Sequence, residues 1–405
     1  MLKTSTLEEE LLLYCARAHL EGPAAEQFNA LLQKDIEWSY LLRLASNHWI
    51  TPLLYWHLNE ADDAAIPSSV MEELKDEFQN DWMRNLFLIG ELHAIVELFA
   101  ANGIPALPYK GAVLAQYAYG NVALRAFSDI DILIDKCDLR KIKELLFSVG
   151  YEPSEELNET QEKIYILSGY HYEFEHSSRG THVEIHWAVW KKGLSLTPSQ
   201  IGIWERATLT TLFGTDMLIT TPEEMLLLAC IHGTKHQWQI LQLICDVAGL
   251  IQAHPELDWD TLLRRAHALG SERMLFLGLL LASDVLGTPL PETVLKTAES
   301  DKTAKALSNR ITKALFLEPQ TEHDTAFRPL TFKDIRFVVL SKERFKDKLR
   351  ALYSFALLPT LAEYELLALP ARLSKLYYVV RPFHLVMRCV EFLLEWSSSL
   401  LKSSR

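Results

Sequence analysis

Cysteine is scarce and unpatterned in this chain. Cys15, Cys137, Cys230, Cys245 and Cys389 are scattered, and none belongs to a Cys-x-x-Cys pair. Neither a disulfide framework nor a zinc–cysteine cluster is therefore expected, and a reducing cytoplasm fits best. Long apolar runs are missing too. The longest, Met274 to Ala282, falls far short of the about 20 residues needed to span a bilayer. It reads as a buried helix, and no transmembrane segment is expected. Met1 to Glu10 has no apolar stretch after a basic start, which speaks against a secretory signal. The sequence has no Walker A loop, no Gly-x-Gly-x-x-Gly opening a helix and no nucleophile elbow. Kinase, P-loop, dinucleotide-oxidoreductase and serine- or cysteine-hydrolase readings are left without support. Low-complexity segments and internal repeats are also absent. Basic residues are outnumbered, 40 against 53 acids, for a net charge of −13. General binding to nucleic acid is not expected of such a chain, because it relies on neutralising phosphates.

What is present suits a large soluble protein. The 405 residues, 49% of them apolar and 23% charged, suffice for two or three domains with a sizeable core. Residues 1–102 carry apolar positions three and four apart, the amphipathic helical signature, with Asn102-Gly103 closing the last helix. The pattern then changes to short alternating runs through residue 220. Ile104 to Tyr109 reads as a strand, Ala112 to Tyr119 as a helix, and Asp138 as the N-cap of a helix running to Val149. Asp216 to Thr220 allows a further strand. Thr221, Pro222 and Glu224 form a helix start with a capping-box acid, and helices continue from there. Charge is uneven: residues 326–405 hold 14 lysines and arginines against 7 acids. That tail reads either as a solvated helical surface or as a site for an acidic partner, an anionic lipid or a nucleotide's triphosphate.

The most informative stretch is Ser128-Asp129-Ile130-Asp131-Ile132-Leu133-Ile134. On a strand, alternate side chains share a face, so Asp129 and Asp131 project together while the isoleucines enter the core. Two carboxylates that close repel unless a cation lies between them, and the hard-cation choice for oxygen ligands is Mg²⁺. His171 to His176 and Thr181 to Trp187 alternate likewise around Ser177-Ser178-Arg179-Gly180, which predicts a hairpin. Val183, Ile185 and Trp187 then face inward, and His182, Glu184 and His186 outward. Beside the Asp129 strand, Glu184 completes a trio suited to two-metal phosphoryl chemistry, with Glu173 and Glu175 as rivals for its place. Lys110 and Arg125 are candidates for phosphate oxygens, as a point charge and as a fork. Gly111 is expected at a tight turn near a phosphate, and Ser128 either bonds a phosphate or caps the strand.

Lys110-Gly111, Arg125, Ser128-Asp129-Ile130-Asp131 and Val183-Glu184-Ile185-His186-Trp187 together resemble the polymerase-β-like nucleotidyltransferase superfamily, and within it the bacterial uncharacterised nucleotidyltransferases. His232-Gly233-Thr234-Lys235-His236-Gln237-Trp238 with Asp246 is similar to that group's downstream helical motif. Asp35 to Pro52 is similar to its N-terminal region, and Pro359, Tyr377-Tyr378 and Arg381-Pro382 to its C-terminal tail. The sequence departs from the superfamily where Ala112, with no hydroxyl, follows Gly111, leaving phosphate contacts to Lys110 and backbone amides.

The resemblance implies an α+β fold, a small mixed sheet flanked by helical regions. It divides the chain into residues 1–102 (N-terminal helical region), 103–220 (nucleotidyltransferase α/β core), 221–325 (helical domain) and 326–405 (basic helical tail). It further implies a Mg²⁺-dependent enzyme that moves an NMP from an NTP, such as ATP, to a hydroxyl of a small molecule, sugar or peptide, releasing pyrophosphate. Asp129, Asp131 and Glu184 would hold two Mg²⁺ ions. Lys110, Gly111, Arg125 and Ser128 would serve the phosphates, with Lys235 and His236 reaching nucleotide or acceptor. Other readings of the His232/His236 pair are a structural polar network or zinc. On one unbroken helix Asp246 would lie about 40° around from His232. Alternative functions are a toxin-like or natural-product accessory enzyme modifying a protein or peptide, and a non-catalytic nucleotide-binding interaction protein.

Overall fold

The computed structural model describes residues 4–61, 64–190, 194, 196–317, 331–369 and 371–387. Cys389, with the rest of residues 388–405, lies outside them. Among the described residues the N-terminal part is helical: α1 (Leu7–Cys15), α2 (Pro23–Leu32), α3 (Trp38–Asn47), α4 (Thr51–Ala61) and the long α5 (Ser68–Ala101). The central part holds β1 (Leu107–Pro108), α6 (Gly111–Tyr119), β2 (Asp129–Leu133), α7 (Leu139–Ser148), β3 (Tyr151–Pro153), α8 (Glu159–Ser168), β4 (His171–His176) and β5 (His182–His186). After the short α9 (Pro198–Ile201), β6 (Thr208–Leu212) and β7 (Thr215–Ile219) pair as a separate hairpin. Helices follow: α10 (Pro222–Lys235), α11 (Leu241–Ala253), α12 (Trp259–Leu269), α13 (Glu272–Leu286), α14 (Glu292–Ser300), α15 (Lys302–Ala314), α16 (Phe332–Leu340), α17 (Phe345–Leu357) and α18 (Leu361–Leu366). The expected α+β class is what the chain adopts.

The main sheet runs β1-β2-β5-β4-β3, with β2 and β5 parallel and the other neighbours antiparallel, so it is mixed. Its alternation is two-sided. Ile130, Ile132, Val183, Ile185, Tyr172 and Phe174 are all buried on one face. The opposite face carries acids and histidines. The first strand is shorter than Ile104 to Tyr109, because Pro105 and Pro108 have no N–H to give a ladder; it survives as two residues at the sheet edge.

Helices α10, α11 and α13 form the buried centre of the helical part. Met225 to Ile231 on α10 and Leu241 to Ile251 on α11 are buried without interruption, as is the Met274 to Ala282 run on α13. Thr221 caps α10 as expected, its hydroxyl accepting from the Glu224 amide at 3.3 Å. The reciprocal half of the capping box does not form. The Glu224 carboxylate is turned inward and pairs with Arg206 at 2.8 Å and Arg265 at 2.7 Å.

Close packing sets where glycine is required. A Cβ on Gly249 of α11 would lie 2.6 Å from the Ala118 carbonyl oxygen of α6, which is backbone and cannot swing aside. Gly90, on the exposed side of α5, would meet nothing within 4 Å. Gly249→Ala should therefore cost about 1–3 kcal/mol and lower Tm by several degrees. Gly90→Ala should be neutral or stabilising by up to about 1 kcal/mol. Thermal unfolding of the two variants checks the pair. Equal Tm values would contradict the α6–α11 contact.

Candidate active site

The site begins with register. β2 and β5 align Asp129 with His182, Asp131 with Glu184 and Leu133 with His186. Period-two alternation then places Asp129, Asp131, Glu184 and His186 on one face. Carboxylate oxygens of Asp129, Asp131 and Glu184 all lie within 4.8 Å of one another. The next strand continues the row, since Glu173 of β4 stands opposite Glu184, and His171 opposite His186. Glu173 is engaged by His171, whose Nε2 lies 2.8 Å from its Oε1. Glu175 is exposed and paired across the ladder with His182. Neither rival replaces Glu184 in the cluster with Asp129 and Asp131.

Two cationic or donor groups hold the acids together. Lys110, the residue before α6, forms an ion pair with Asp131. His186, fully buried, places Nε2 at 2.8 Å from Asp131 Oδ1 and 2.9 Å from Glu184 Oε2. Both neighbours are acceptors, so Nε2 is the protonated nitrogen and its N–H is shared between the two carboxylates. Sequence alternation put His186 beside Glu184. It did not show the reach across to Asp131.

The three acids titrate differently. Burial works against the charge of Asp131, but Lys110 and His186 hold its carboxyl well below the usual range. Burial likewise opposes ionisation of Glu184, but the His186 hydrogen bond together with the charges of His186 and Lys110 outweighs it, bringing the group to about 2. Asp129 has no such partner. Burial, and then the adjacent Asp131 charge, push it up to about 7. The cluster therefore carries more negative charge than Lys110 compensates, and all of its outward donors are oxygen. Such a set fits a hard divalent cation, which would relieve the repulsion at Asp129. A second group, His171, Glu184 and His186, also converges, sharing two members with the first.

The loop geometry around the cluster is specific. Gly111 has φ +53°, the left-handed region that favours glycine, and a Cβ there would stand 3.4 Å from the Asp129 carbonyl oxygen, so the turn into α6 runs close against β2. Ser128 is exposed at the mouth of β2. An adjoining cleft is lined by Leu88 and Leu92 of α5 together with Pro108, Phe127, Asp129 and Asp131. Arg84 and Asn85 of α5 bond the carbonyls of Phe127 and Arg125, which fixes that loop to the N-terminal helices.

Arg125 requires a correction. Its guanidinium does not point at the carboxylate trio; it grips Asp246 of α11, Nε to Oδ1 at 2.8 Å and a terminal nitrogen to Oδ2 at 3.0 Å. Tyr119 donates to the same Asp246 at 2.9 Å. With both prongs spent on a buried carboxylate, Arg125 is a tie between core and helices, and we do not retain it as a phosphate ligand.

Asp246 is equally lost to the histidine pair. The helix breaks after Lys235, where Gln237 and Trp238 take φ +54° and +57° and Trp238 folds back under Gly233. His232 and Asp246 thus sit on different helices, and the single-helix angle does not apply. The His232 and His236 rings meet edge-on with centroids 4.5 Å apart, and among the described residues neither joins a metal-capable group. The zinc reading has no third ligand. Burial, with Lys235 and Lys110 nearby, pushes His236 down to about 3, and burial pushes His232 well below its ordinary value. Lys235 is the cation at this end of α10, its Nζ 4.4 Å from the Tyr170 ring centroid.

The mixed sheet thus presents clustered acids from two parallel strands beside a lysine–glycine turn, a group of oxygen ligands able to hold a cation. Residues 34–287 match the family model described as "Uncharacterised nucleotidyltransferase", and the chain belongs to that family. It is thus a nucleotidyltransferase by family. No curated protein matches it significantly. Among solved structures, the crystal structure of ANT(2")-Ia in complex with adenylyl-2"-tobramycin is similar at 15% identity and TM-score 0.30, over 45% of this chain and 95% of that one. The solution structure of the antibiotic-resistance factor ANT(2'')-Ia aligns at 13% identity and TM-score 0.31, over 46% and 91%. Likeness this distant carries no argument about substrate.

Asp129 supplies a pH test. Its folded value lies above that of an unfolded aspartate, so the folded state holds the extra proton between roughly pH 4 and 7. In chelator, stability should fall as pH rises through that window and level off above it. Asp129→Asn should flatten the slope and raise stability at pH 8 by at least about 1 kcal/mol. Denaturant melts at pH 5, 6, 7 and 8 measure this, and an unchanged slope in the variant would refute the assignment.

Proposed function

We propose that the chain transfers an NMP from an NTP to a hydroxyl group, releasing pyrophosphate, with the acid cluster of β2 and β5 as its centre. The observation that carries this reading is the convergence of Asp129, Asp131 and Glu184 within 4.8 Å in a nucleotidyltransferase-family chain. Asp129 and Asp131, with Glu184 as third carboxylate, would hold Mg²⁺, two ions in the full assignment. When bound, the metal would neutralise triphosphate charge and favour the attacking form of the acceptor oxygen.

The protein's own groups would do the positioning. Gly111 allows the backbone at the start of α6 to come close to a phosphate, and Ser128 stands exposed beside Asp129. Lys110 would exchange Asp131 for phosphate oxygens. Lys235 would meet the nucleotide or acceptor from the end of α10, with His236 as a neutral donor or acceptor. The acceptor oxygen bonds the α-phosphorus, the bond to the bridging oxygen breaks, and the acceptor proton passes to a neighbouring carboxylate, assigned to Glu184. His186 keeps Asp131 and Glu184 in place during this exchange.

Helices α1–α5 and α10–α15 would form the acceptor side, with Leu88 and Leu92 of α5 as an apolar wall beside the acids. The net charge of −13 favours a small molecule, sugar or peptide over a polynucleotide, and a cytoplasmic setting is part of the same reading. Pyrophosphate release, measured with each NTP, Mg²⁺ and a panel of hydroxylated compounds and peptides, tests it. Asp131→Asn and Glu184→Gln should each lower kcat by at least about 10²-fold. Turnover that survives both substitutions would overturn the proposal.

A further inference from the structure

The described C-terminal residues carry a surface that the acid cluster does not use. Helix α17 turns Ala351, Ser354 and Phe355 inward. It leaves Phe345, Leu349 and Leu352, at helical spacing, 74%, 50% and 45% exposed. Residues 377–387 are helical and repeat the pattern. There Tyr377 is buried, whereas Val379, Phe383 and Val386 are 57%, 69% and 62% exposed. These segments are not loosely held. Arg381 donates to Glu363 Oε1 at 2.7 Å and to the Phe355 carbonyl at 3.4 Å. His384 Nδ1 lies 2.6 Å from the same oxygen of the fully buried Glu363. The buried Glu363 carboxylate therefore ties α18 to residues 377–387, and Arg381 extends the tie to α17, while apolar faces stay open to solvent. Apolar side chains repeated along an exposed helix face point to an interaction surface.

Charge selects the occupant. Lys346 and Arg350 are exposed on α17, and Arg372 and Lys375 on the short turn Ala371–Leu376 that leads into residues 377–387. Residues 326–405 hold 14 basic against 7 acidic side chains in a chain of net charge −13. A two-fold contact between copies would bring this cationic surface against itself, which repels. A plane carrying negative headgroups over an apolar interior satisfies both the cations and the apolar side chains.

We propose that α17 and residues 377–387 dock on an anionic lipid bilayer, with Phe345, Leu349 and Phe383 entering the headgroup–acyl boundary and the flanking lysines and arginines meeting lipid phosphates. The inference does not depend on the nucleotidyl-transfer reading.

Co-sedimentation of the full chain with vesicles of phosphatidylcholine alone, and of phosphatidylcholine mixed with phosphatidylglycerol, tests it. Binding to the mixed vesicles should be at least about tenfold stronger and should weaken with salt. Phe345→Ser with Phe383→Ser, and separately Lys346→Glu with Lys375→Glu, should each reduce partitioning about tenfold at unchanged Tm. Failure of the wild-type chain to bind anionic vesicles overturns the proposal. So does a concentration-dependent dimer, seen by light scattering, that the Phe345→Ser/Phe383→Ser variant abolishes, because the face would then belong to a second copy.

Discussion

The in-register parallel pairing of β2 with β5 is the constraint on which everything else depends. It sets Asp131 directly beside Glu184 and, by alternation, brings Asp129 and His186 to the same face. A one-residue slip would turn the acids into the core and the isoleucines outward, which burial of Ile130, Ile132, Val183 and Ile185 forbids. The hydrophobic face of the sheet thus fixes the geometry of the charged one. Like-charge repulsion is the cost, and it is spread unevenly. Asp131 has Lys110 and His186, Glu184 has His186, and Asp129 is left with burial and a negative neighbour.

Around that core the helices act as supports. Asn85 of α5 holds the carbonyls at the Arg125 loop, and Arg125 in turn grips Asp246 of α11 together with Tyr119 of α6. Helices from both ends of the sequence therefore bear on the one loop that leads into β2. Breaking either partner of the Arg125–Asp246 pair leaves an unmatched buried charge, so this tie fixes the relative placement of sheet and helices more than it adds to stability.

Much of this was legible in the sequence because period-two alternation is local. The Asp129 to Ile134 run and the hairpin of β4 and β5 announce themselves within a few residues, and the acid trio follows once the two strands are neighbours. What was misread depended on distant partners or on unmarked breaks. Arg125 looks like a free fork until a carboxylate 121 positions away claims it. The helix from Pro222 seems to run on because Gln237 and Trp238, neither glycine nor proline, take left-handed backbone to bury an indole. Residues Ile104 to Tyr109 look apolar enough for a full strand, but two prolines limit the ladder. The Glu224 capping acid is drawn inward by Arg206 and Arg265, a tertiary pull outside any local motif.

The proposed role of the three acids as one cation site is tested by direct metal binding, without reference to any acceptor. Mn²⁺ titration followed by electron paramagnetic resonance reads the bound ion itself. The wild-type chain should take up Mn²⁺, Mg²⁺ should compete it away, and Asp129→Asn with Glu184→Gln should abolish uptake while the fold melts cooperatively as before. Undiminished Mn²⁺ binding by that double variant, or none by the wild type in the presence of NTP, would contradict the central claim.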